Sequence, residues 1–466
     1  MLASAALMIF ASCSKEEGNT GKGNPNDGPQ TTLGLAFTMP NNPGSRAADG
    51  DNVNSVGTES EVTNVQVFVF NTDGTYDAEV GYAEFAKADF TQAETTYTLD
   101  TEKAIKAVAG GKHIYVGINL PAAFKGKSNV ADEAALKNAV RTFAISDLVD
   151  PTKGIAMFST GSPNYTLAAM TEGSTDIPAA NTIKLDVERM VAKVVAQTST
   201  NNGEFSTKYN TGTLEINVDY AVQGYTLVQG SNTMYTAQNL VNNVLVTPNP
   251  TTVNAFTGAE TFVNMNNNTL GEAFNDPAFT YIYTGENAPT SGLVKESTYM
   301  LVKTKATPNK KAVVTADAIA LQAWDGSGDM WIVRGKEEFA GAVYFCVDDT
   351  SANDVALKCK GTFQKYLGCY AYYMVWLNLG EDADTDRLHI YRNQFVHVKI
   401  TGISGSSFTA TPGKEPSGET PKDPTDEDDE ETPDPTDPVV AKKTSMLVEV
   451  TLKPWTYKGN SVILGE

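Results

Sequence analysis

Apolar and polar positions alternate with a period of two along most of this chain, and runs at helical spacing are scarce. In TTLGLAFTMP, Leu33, Leu35, Phe37 and Met39 fall on one side of an extended segment. EVTNVQVFVF (61–70) sets Val65, Val67 and Val69 on one face, and Asp73-Gly74 after it suits a hairpin turn with positive φ. HIYVGINL (113–120) is a further strand, as is the stretch 214–222. TIKLDVERMVAKVV (182–195) reads as one long strand, its β-branched residues weighing against a helix. A single helix is expected between Asp132 and Val149, where Ala135, Leu136, Val140 and Phe143 recur at helical spacing. Short strands follow at 298–305, 342–347, 369–377 and 394–403, with a long polar loop at 243–267. Strands of this length between turn-rich loops predict β-sandwich packing, and the polar stretch at 200–212 suits a domain boundary.

The end of the chain breaks this rhythm. Pro412 to Pro438 holds no aliphatic or aromatic side chain, but seven prolines and eleven acids against two lysines. Such a segment buries too little to offset its ordering entropy and is expected to be extended and solvated. The sequence then turns apolar: Met446, Val448, Val450 and Leu452 alternate with Leu447, Glu449, Thr451 and Lys453. Pro454 interrupts the ladder, Gly459-Asn460 suggests a turn, and Ser461 to Leu464 offers a second short strand bearing Val462 and Leu464. A tethered, half-apolar strand suits insertion into a groove of its own chain or of a neighbour.

At 466 residues the chain is long enough for two or three domains, and a net charge of −21 argues against nucleic acid as a partner. Three histidines, His113, His389 and His397, leave little acid–base or metal chemistry. Gly110-Gly111-Lys112 lacks the first glycine of a phosphate loop and runs into a strand. Asp382, Asp384 and Asp386 open like a calcium loop, but the sixth-position glycine is missing and Asn393 stands where a glutamate is needed. Asp325 to Asp329 reads as a turn, and Trp324 and Trp331 beside it as packing residues rather than a sugar-binding face. No metal, no cofactor and no enzymatic activity are expected. Cys359 and Cys369 flank a predicted hairpin loop and could pair in an oxidising compartment, leaving Cys346 alone; three buried free thiols are the other reading.

MLASAALMIFAS is an apolar run too short to span a membrane as a stable helix, and it reads as an export signal. Ala11-Ser12-Cys13 resembles a lipobox, although no Lys or Arg precedes the run, so that the true start could lie elsewhere. Downstream, NNPGSRAADGDN carries one basic residue, Arg46, on a turn-rich stretch open to a trypsin-like protease. A cut there would free the strand 31–40 and leave an apolar groove.

Together these residues resemble a known family: the lipobox at Cys13, the arginine loop SRAADGD, VERMVAKV closing one domain and RNQFVHVKITGI the next, then an acidic Pro-Asp linker and SMLVEVTLKPW. The chain is similar to the shaft subunits of the short, or minor, type V fimbriae of Gram-negative anaerobes, the Bacteroidia-type fimbrial lipoproteins. The three late cysteines depart from that pattern. The resemblance implies a mainly β protein with two tandem transthyretin-like, Greek-key β-sandwich domains, few short helices and an extended C-terminal donor strand. It implies a lipoprotein signal at 1–13, a propeptide at 14–46, domains at 47–205 and 206–410, a linker at 411–443 and a donor segment at 444–466.

By the same resemblance the precursor is lipidated at Cys13, with palmitate among its acyl chains, and reaches the outer membrane through the lipoprotein export machinery. An arginine-specific, trypsin-like protease cuts between Arg46 and Ala47. Identical or related pilin subunits then join head-to-tail by donor-strand exchange into extracellular fimbriae that serve adhesion and biofilm formation on a host or bacterial surface ligand. The donor is Met446–Leu452, Ser461–Leu464 or both; the expectation is that the first piece pairs at home and the last, or both, crosses. A tip or accessory adhesin and an outer-membrane glycan-binding lipoprotein are the competing readings.

Overall fold

The computed structural model describes residues 26, 28–40, 58–93, 95–200, 202–242, 244–248, 261–266, 279–290, 293–316, 318–378, 388–422 and 444–454, and the backbone of 462–464. The protein is mainly β. Its first half is built from β1 (Gln30–Thr38), β2 (Asn64–Asn71), β3 (Tyr82–Ala86), β4 (Phe90–Ala93), β5 (Thr96–Leu99), β6 (Ile105–Val108), β7 (Gly110–Ile118), β8 (Met157–Ser159), β9 (Asn164–Leu167) and β10 (Thr182–Arg189). Their lateral order is β3-β2-β7-β8-β10-β1-β5-β4, with β9 on β7 and β6 on the first part of β1. The turn at 71–74 forms as the sequence predicts: Gly74 adopts φ +86°, and its amide donates to the Asn71 carbonyl.

The core of this half is filled from two directions. Val65, Val67 and Val69 of β2, with Ile114, Val116 and Ile118 of β7, meet Leu33, Leu35 and Phe37 of β1 and Tyr97 and Leu99 of β5. The opposite faces of β2 and β7 carry Phe68, Phe70 and Tyr115, which pack on Leu136, Phe143 and Leu148. The single helix expected over 132–149 is instead two short ones, α1 (Glu133–Asn138) and α2 (Ile145–Leu148). Asp132 caps α1 by accepting from the Ala135 amide, and Ala139 is extended, so Val140 turns outward at 52% exposure while Phe143 is buried. Helical spacing survives across a chain that has left the helix, because both segments cover the same aromatic face.

The second half contains β11 (Ala192–Thr198), β12 (Glu204–Tyr209), β13 (Ile216–Val228), β14 (Ile282–Thr284), β15 (Tyr299–Pro308), α3 (Asp349–Cys359), β16 (Tyr370–Trp376), β17 (Gln394–Ile403), β18 (Met446–Pro454) and β19 (Val462–Leu464). One sheet runs β14-β11-β17-β18-β19, and a second runs β12-β13-β15-β16. Between them lie Val194, Val218, Tyr220, Val302, Tyr373, Val396, Val398, Met446 and Val450. The long strand expected at 182–195 is therefore two. It breaks at Met190–Val191, and β10 and β11 enter different sheets. β10 alternates in burial, with one face exposed, whereas every residue of β11 is buried because its sheet is covered on both faces.

Two further expectations are corrected. Cys359 ends α3 and does not flank a hairpin; that helix is capped by Asp348, whose carboxylate accepts from the Ser351 amide. The acidic stretch is not solvated from its beginning. Pro412 to Lys422 fold back on themselves, with Lys414 and Lys422 amides donating to Thr420 and Pro412 carbonyls, and the Tyr372 hydroxyl donates to the Gly418 carbonyl. Backbone pairing holds this stretch, which has no aliphatic or aromatic side chain of its own, and Gly418 lies against Leu367 and Tyr372. Residues 423–443 lie outside the described part.

Candidate functional site

The first strand and the channel around it form the site. β1 is internal to its sheet. Gly34 to Thr38 pair in parallel with Thr182 to Asp186 of β10, while Ala36 to Thr38 pair antiparallel with β5 and Gln30 to Leu33 with β6. Leu33, Leu35, Phe37 and Met39, the alternation read from the sequence, are all buried. The Phe37 ring stacks on Tyr97 at 5.1 Å and meets the edge of Phe90 at 5.4 Å. Removing β1 would part β10 from β5 and expose a strip of apolar side chains with unpaired backbone groups along both walls.

Polar side chains hold both ends of β1. Asn181, fully buried just before β10, donates from Nδ2 to Thr31 Oγ1 (2.9 Å), the Thr32 carbonyl (2.9 Å) and the Ala168 carbonyl (3.0 Å), and accepts from the Ala168 amide (2.7 Å). Thr31 Oγ1 donates in turn to the Ala168 carbonyl at 2.7 Å. At the other end Arg189, the fully buried last residue of β10, donates from Nη2 to the Pro40 carbonyl (3.0 Å) and to Ser60 Oγ (3.3 Å). Beside it Lys193 Nζ lies 2.7 Å from Glu59 Oε1 and 3.7 Å from the centre of the Tyr281 ring, and the Tyr283 hydroxyl donates to the same Glu59 oxygen.

Burial lowers Arg189 to about 10 and Lys193 to about 8, the Glu59 carboxylate opposing the shift in both. Residues 41–57 are thus flanked on one side by Pro40 and on the other by Glu59 and Ser60, each bound to a buried cation. Sequence reading missed Asn181, Glu59, Arg189 and Lys193 as members of this site. The available signal was two cations inside the apolar run VERMVAKV, since buried charges require partners.

Met446, Val448, Val450 and Leu452, the proposed donor positions, lie on one face of β18, which pairs antiparallel with β17 over Ile403↔Met446 to Gln394↔Pro454. Met446 and Val450 are buried in the second core, and Val448 and Leu452 pack against it. β19, carrying Val462 and Leu464, is an edge strand on β18 at Leu452↔Val462 to Val450↔Leu464. Cys13, Arg46, Ala47 and the aspartates at 382–386 lie outside the described residues.

Cys346, Cys359 and Cys369 are free and buried. Cys346 and Cys359 pack around α3, whereas Cys369 sits in the main core of the second half and donates to the Gly328 carbonyl. Burial pushes Cys346 and Cys369 up to about 12 and raises Cys359. Iodoacetamide at about pH 8 is therefore expected to leave all three unlabelled in the native chain and to label all three after denaturation, because the thiolate is the nucleophile. A disulfide-linked Cys359–Cys369 peptide in the mass spectrum would contradict this. Lys112 of the Gly-Gly-Lys motif forms a buried ion pair with Asp77 at 2.7 Å inside the first sheet. Trp331 lies under the Lys365 ammonium, 5.1 Å from the ring centre.

Two family models match the chain: "Major fimbrial subunit protein (FimA)" over residues 31–194, and "Major fimbrial subunit protein type IV, Fimbrillin, C-terminal" over residues 364–461. The minor fimbrium subunit Mfa1 of Porphyromonas gingivalis is 24% identical over an alignment of 503 residues that covers 96% of this chain and 95% of that protein. Among solved structures, a fimbrilin (FimA) from Porphyromonas gingivalis W83 is 14% identical with a TM-score of 0.42, covering 92% of this chain and 99% of that one. The tip fimbrial protein Mfa3 of the same species, C-terminally truncated, is 11% identical with a TM-score of 0.37, covering 80% and 96%.

Proposed function

Because the chain belongs to the Bacteroidia-type fimbrial subunits, we propose that it is a structural subunit that polymerises at the cell surface by proteolytically triggered strand replacement. The observation that carries this reading is the position of β1, a buried internal strand joined through 41–57 to the rest of its domain. A cut between Arg46 and Ala47 turns β1 from a covalent part of the sheet into a bound peptide. A strand from a second copy can then take its place, with ladder hydrogen bonds giving permanence and alternating apolar side chains giving register. The donor comes from the C-terminal segment 444–466 of that copy. Each subunit fills one channel and offers one strand, so the contact is heterologous and propagates instead of closing.

In this reading Cys13 carries the lipid that holds the precursor at the outer membrane, and the cut releases lipid and β1 together. The break at Met190–Val191 marks the passage from the domain that receives a strand to the domain that offers one. Its partners are identical or related subunits, the arginine-specific protease and the lipoprotein export machinery, and the polymer serves adhesion and biofilm formation. Mass spectrometry of the chain recovered from surface filaments tests the proposal: an N-terminus at Ala47 is expected, and a filament whose subunits retain lipidated Cys13 would overturn it.

A further inference from the structure

The parallel ladder between β1 and β10 spans only Gly34↔Thr182 to Thr38↔Asp186. Beyond each of its ends, a side chain takes over from the backbone. Asn181 reaches the Thr32 carbonyl and the Thr31 hydroxyl, and Arg189 reaches the Pro40 carbonyl. The two carbonyls are eight residues apart (32 to 40), roughly 26 Å along a strand rising about 3.3 Å per residue. Carbonyls an even number of residues apart point to the same neighbouring strand, so both face the β10 side. Between Asn181 and Arg189 the channel needs extended backbone in one phase and of sufficient length. The Thr31 hydroxyl adds a third requirement, because it accepts from Asn181 while donating to Ala168.

We infer that Asn181 and Arg189 are the positioning residues that set the length and register of whatever strand fills this channel, an inference that rests on the strand-replacement reading above. When β1 leaves, Asn181 loses the Thr31 and Thr32 acceptors and Arg189 loses the Pro40 carbonyl, both in fully buried surroundings. A buried amide or guanidinium deprived of an acceptor is costly. The occupant from a second copy is therefore selected for a hydroxyl at the position of Thr31 and carbonyls at those of Thr32 and Pro40. A strand slipped by one residue turns its carbonyls to the opposite wall and loses both contacts. One slipped by two keeps its carbonyls in phase but misplaces the hydroxyl.

The experiment uses the full-length chain with a site-specific protease sequence placed at the 46–47 junction. After cutting, exchange of the resident fragment for a labelled synthetic peptide of residues 28–40, ending in a carboxamide, is followed by fluorescence anisotropy. Competition is expected to weaken at least ~10-fold for a peptide with Thr31→Val, which loses the hydrogen bonds to both Asn181 and Ala168, and ~10-fold for one ending at Met39, which loses the bond from Arg189. Thr38→Val, with its side chain outside these contacts, is expected to compete within about twofold of the parent. On an Arg189→Gln chain the advantage of the peptide carrying Pro40 should shrink to what burial of its ring alone supplies. Peptides that all compete equally on the unaltered chain would overturn the inference, and that arm requires no variant to fold. Full Pro40 advantage on Arg189→Gln would overturn it too. A chain that shows the peptide effects yet never polymerises would sink strand replacement and leave the register inference standing; a polymerising chain indifferent to the peptides would do the reverse.

Discussion

A full-length chain carrying Arg46→Ala is expected to stay monomeric, with no filaments by electron microscopy and a single monomer peak in gel filtration. The reason lies in how β1 is held. Four buried side chains, Leu33, Leu35, Phe37 and Met39, contribute about 1.5–3 kcal/mol each. Ladders on both edges and the contacts of Asn181 and Arg189 add to this. While β1 remains tethered through 41–57, its effective concentration at the channel is on the order of millimolar. An incoming strand of comparable affinity at micromolar concentration is outcompeted about a thousandfold, or about 4 kcal/mol. Cutting removes the tether and leaves every contact of β1 in place, so replacement becomes a competition between two peptides instead of a spontaneous release. Filaments formed by Arg46→Ala at the unaltered yield would show that covalent continuity of β1 does not restrain assembly.

What could be read from the sequence followed from how local each signal was. β1 and β18 were legible because large apolar side chains alternate with small or polar ones, Gly34, Ala36 and Thr38 in β1 and the exposed Leu447 and Glu449 with Thr451 in β18, so Leu33–Met39 and Met446–Leu452 print a period of two. The break between β10 and β11 was not. Met190, Val191 and Ala192 form an apolar stretch with no Gly, Pro, Asn or Asp among them, and the change of sheet is a tertiary event that leaves no turn residue behind. α1 and α2 were fused into one helix because two segments covering one aromatic face keep a common spacing across an extended link. α3 escaped notice because, of the four buried positions in DTSANDVALKC (Ala352, Val355, Ala356 and Cys359), only Val355 and Cys359 are larger than alanine, though the Asp348 cap was visible. Among site residues, Asn181 precedes a strand and reads as an ordinary loop asparagine. Its role depends on Thr31, Thr32 and Ala168, far away in sequence. Arg189 and Lys193 carried the better clue, two cations among Val187, Met190, Val191, Ala192 and Val194, which only burial with Pro40, Ser60 and Glu59 resolves.

The second large effect separates precursor from polymer. Phe37→Ala is expected to destabilise the uncut chain by about 3–5 kcal/mol in urea unfolding of the first half, since its ring is fully buried and bracketed by Tyr97 and Phe90. The same substitution is expected to leave the stability of finished filaments unchanged, because Phe37 departs with the fragment ending at Arg46. Assembly itself should run faster, the resident strand being a weaker competitor for its own channel. Val450→Ala supplies the contrast: Val450 is buried in the second core and remains in every subunit, so its loss should weaken uncut chain and filament alike. A filament weakened by Phe37→Ala to the same extent as the precursor would mean that β1 never leaves, and strand replacement would fall with it. The asymmetry between these two substitutions is what a strand present only before assembly requires, and a subunit joined merely by surface contacts would not produce it.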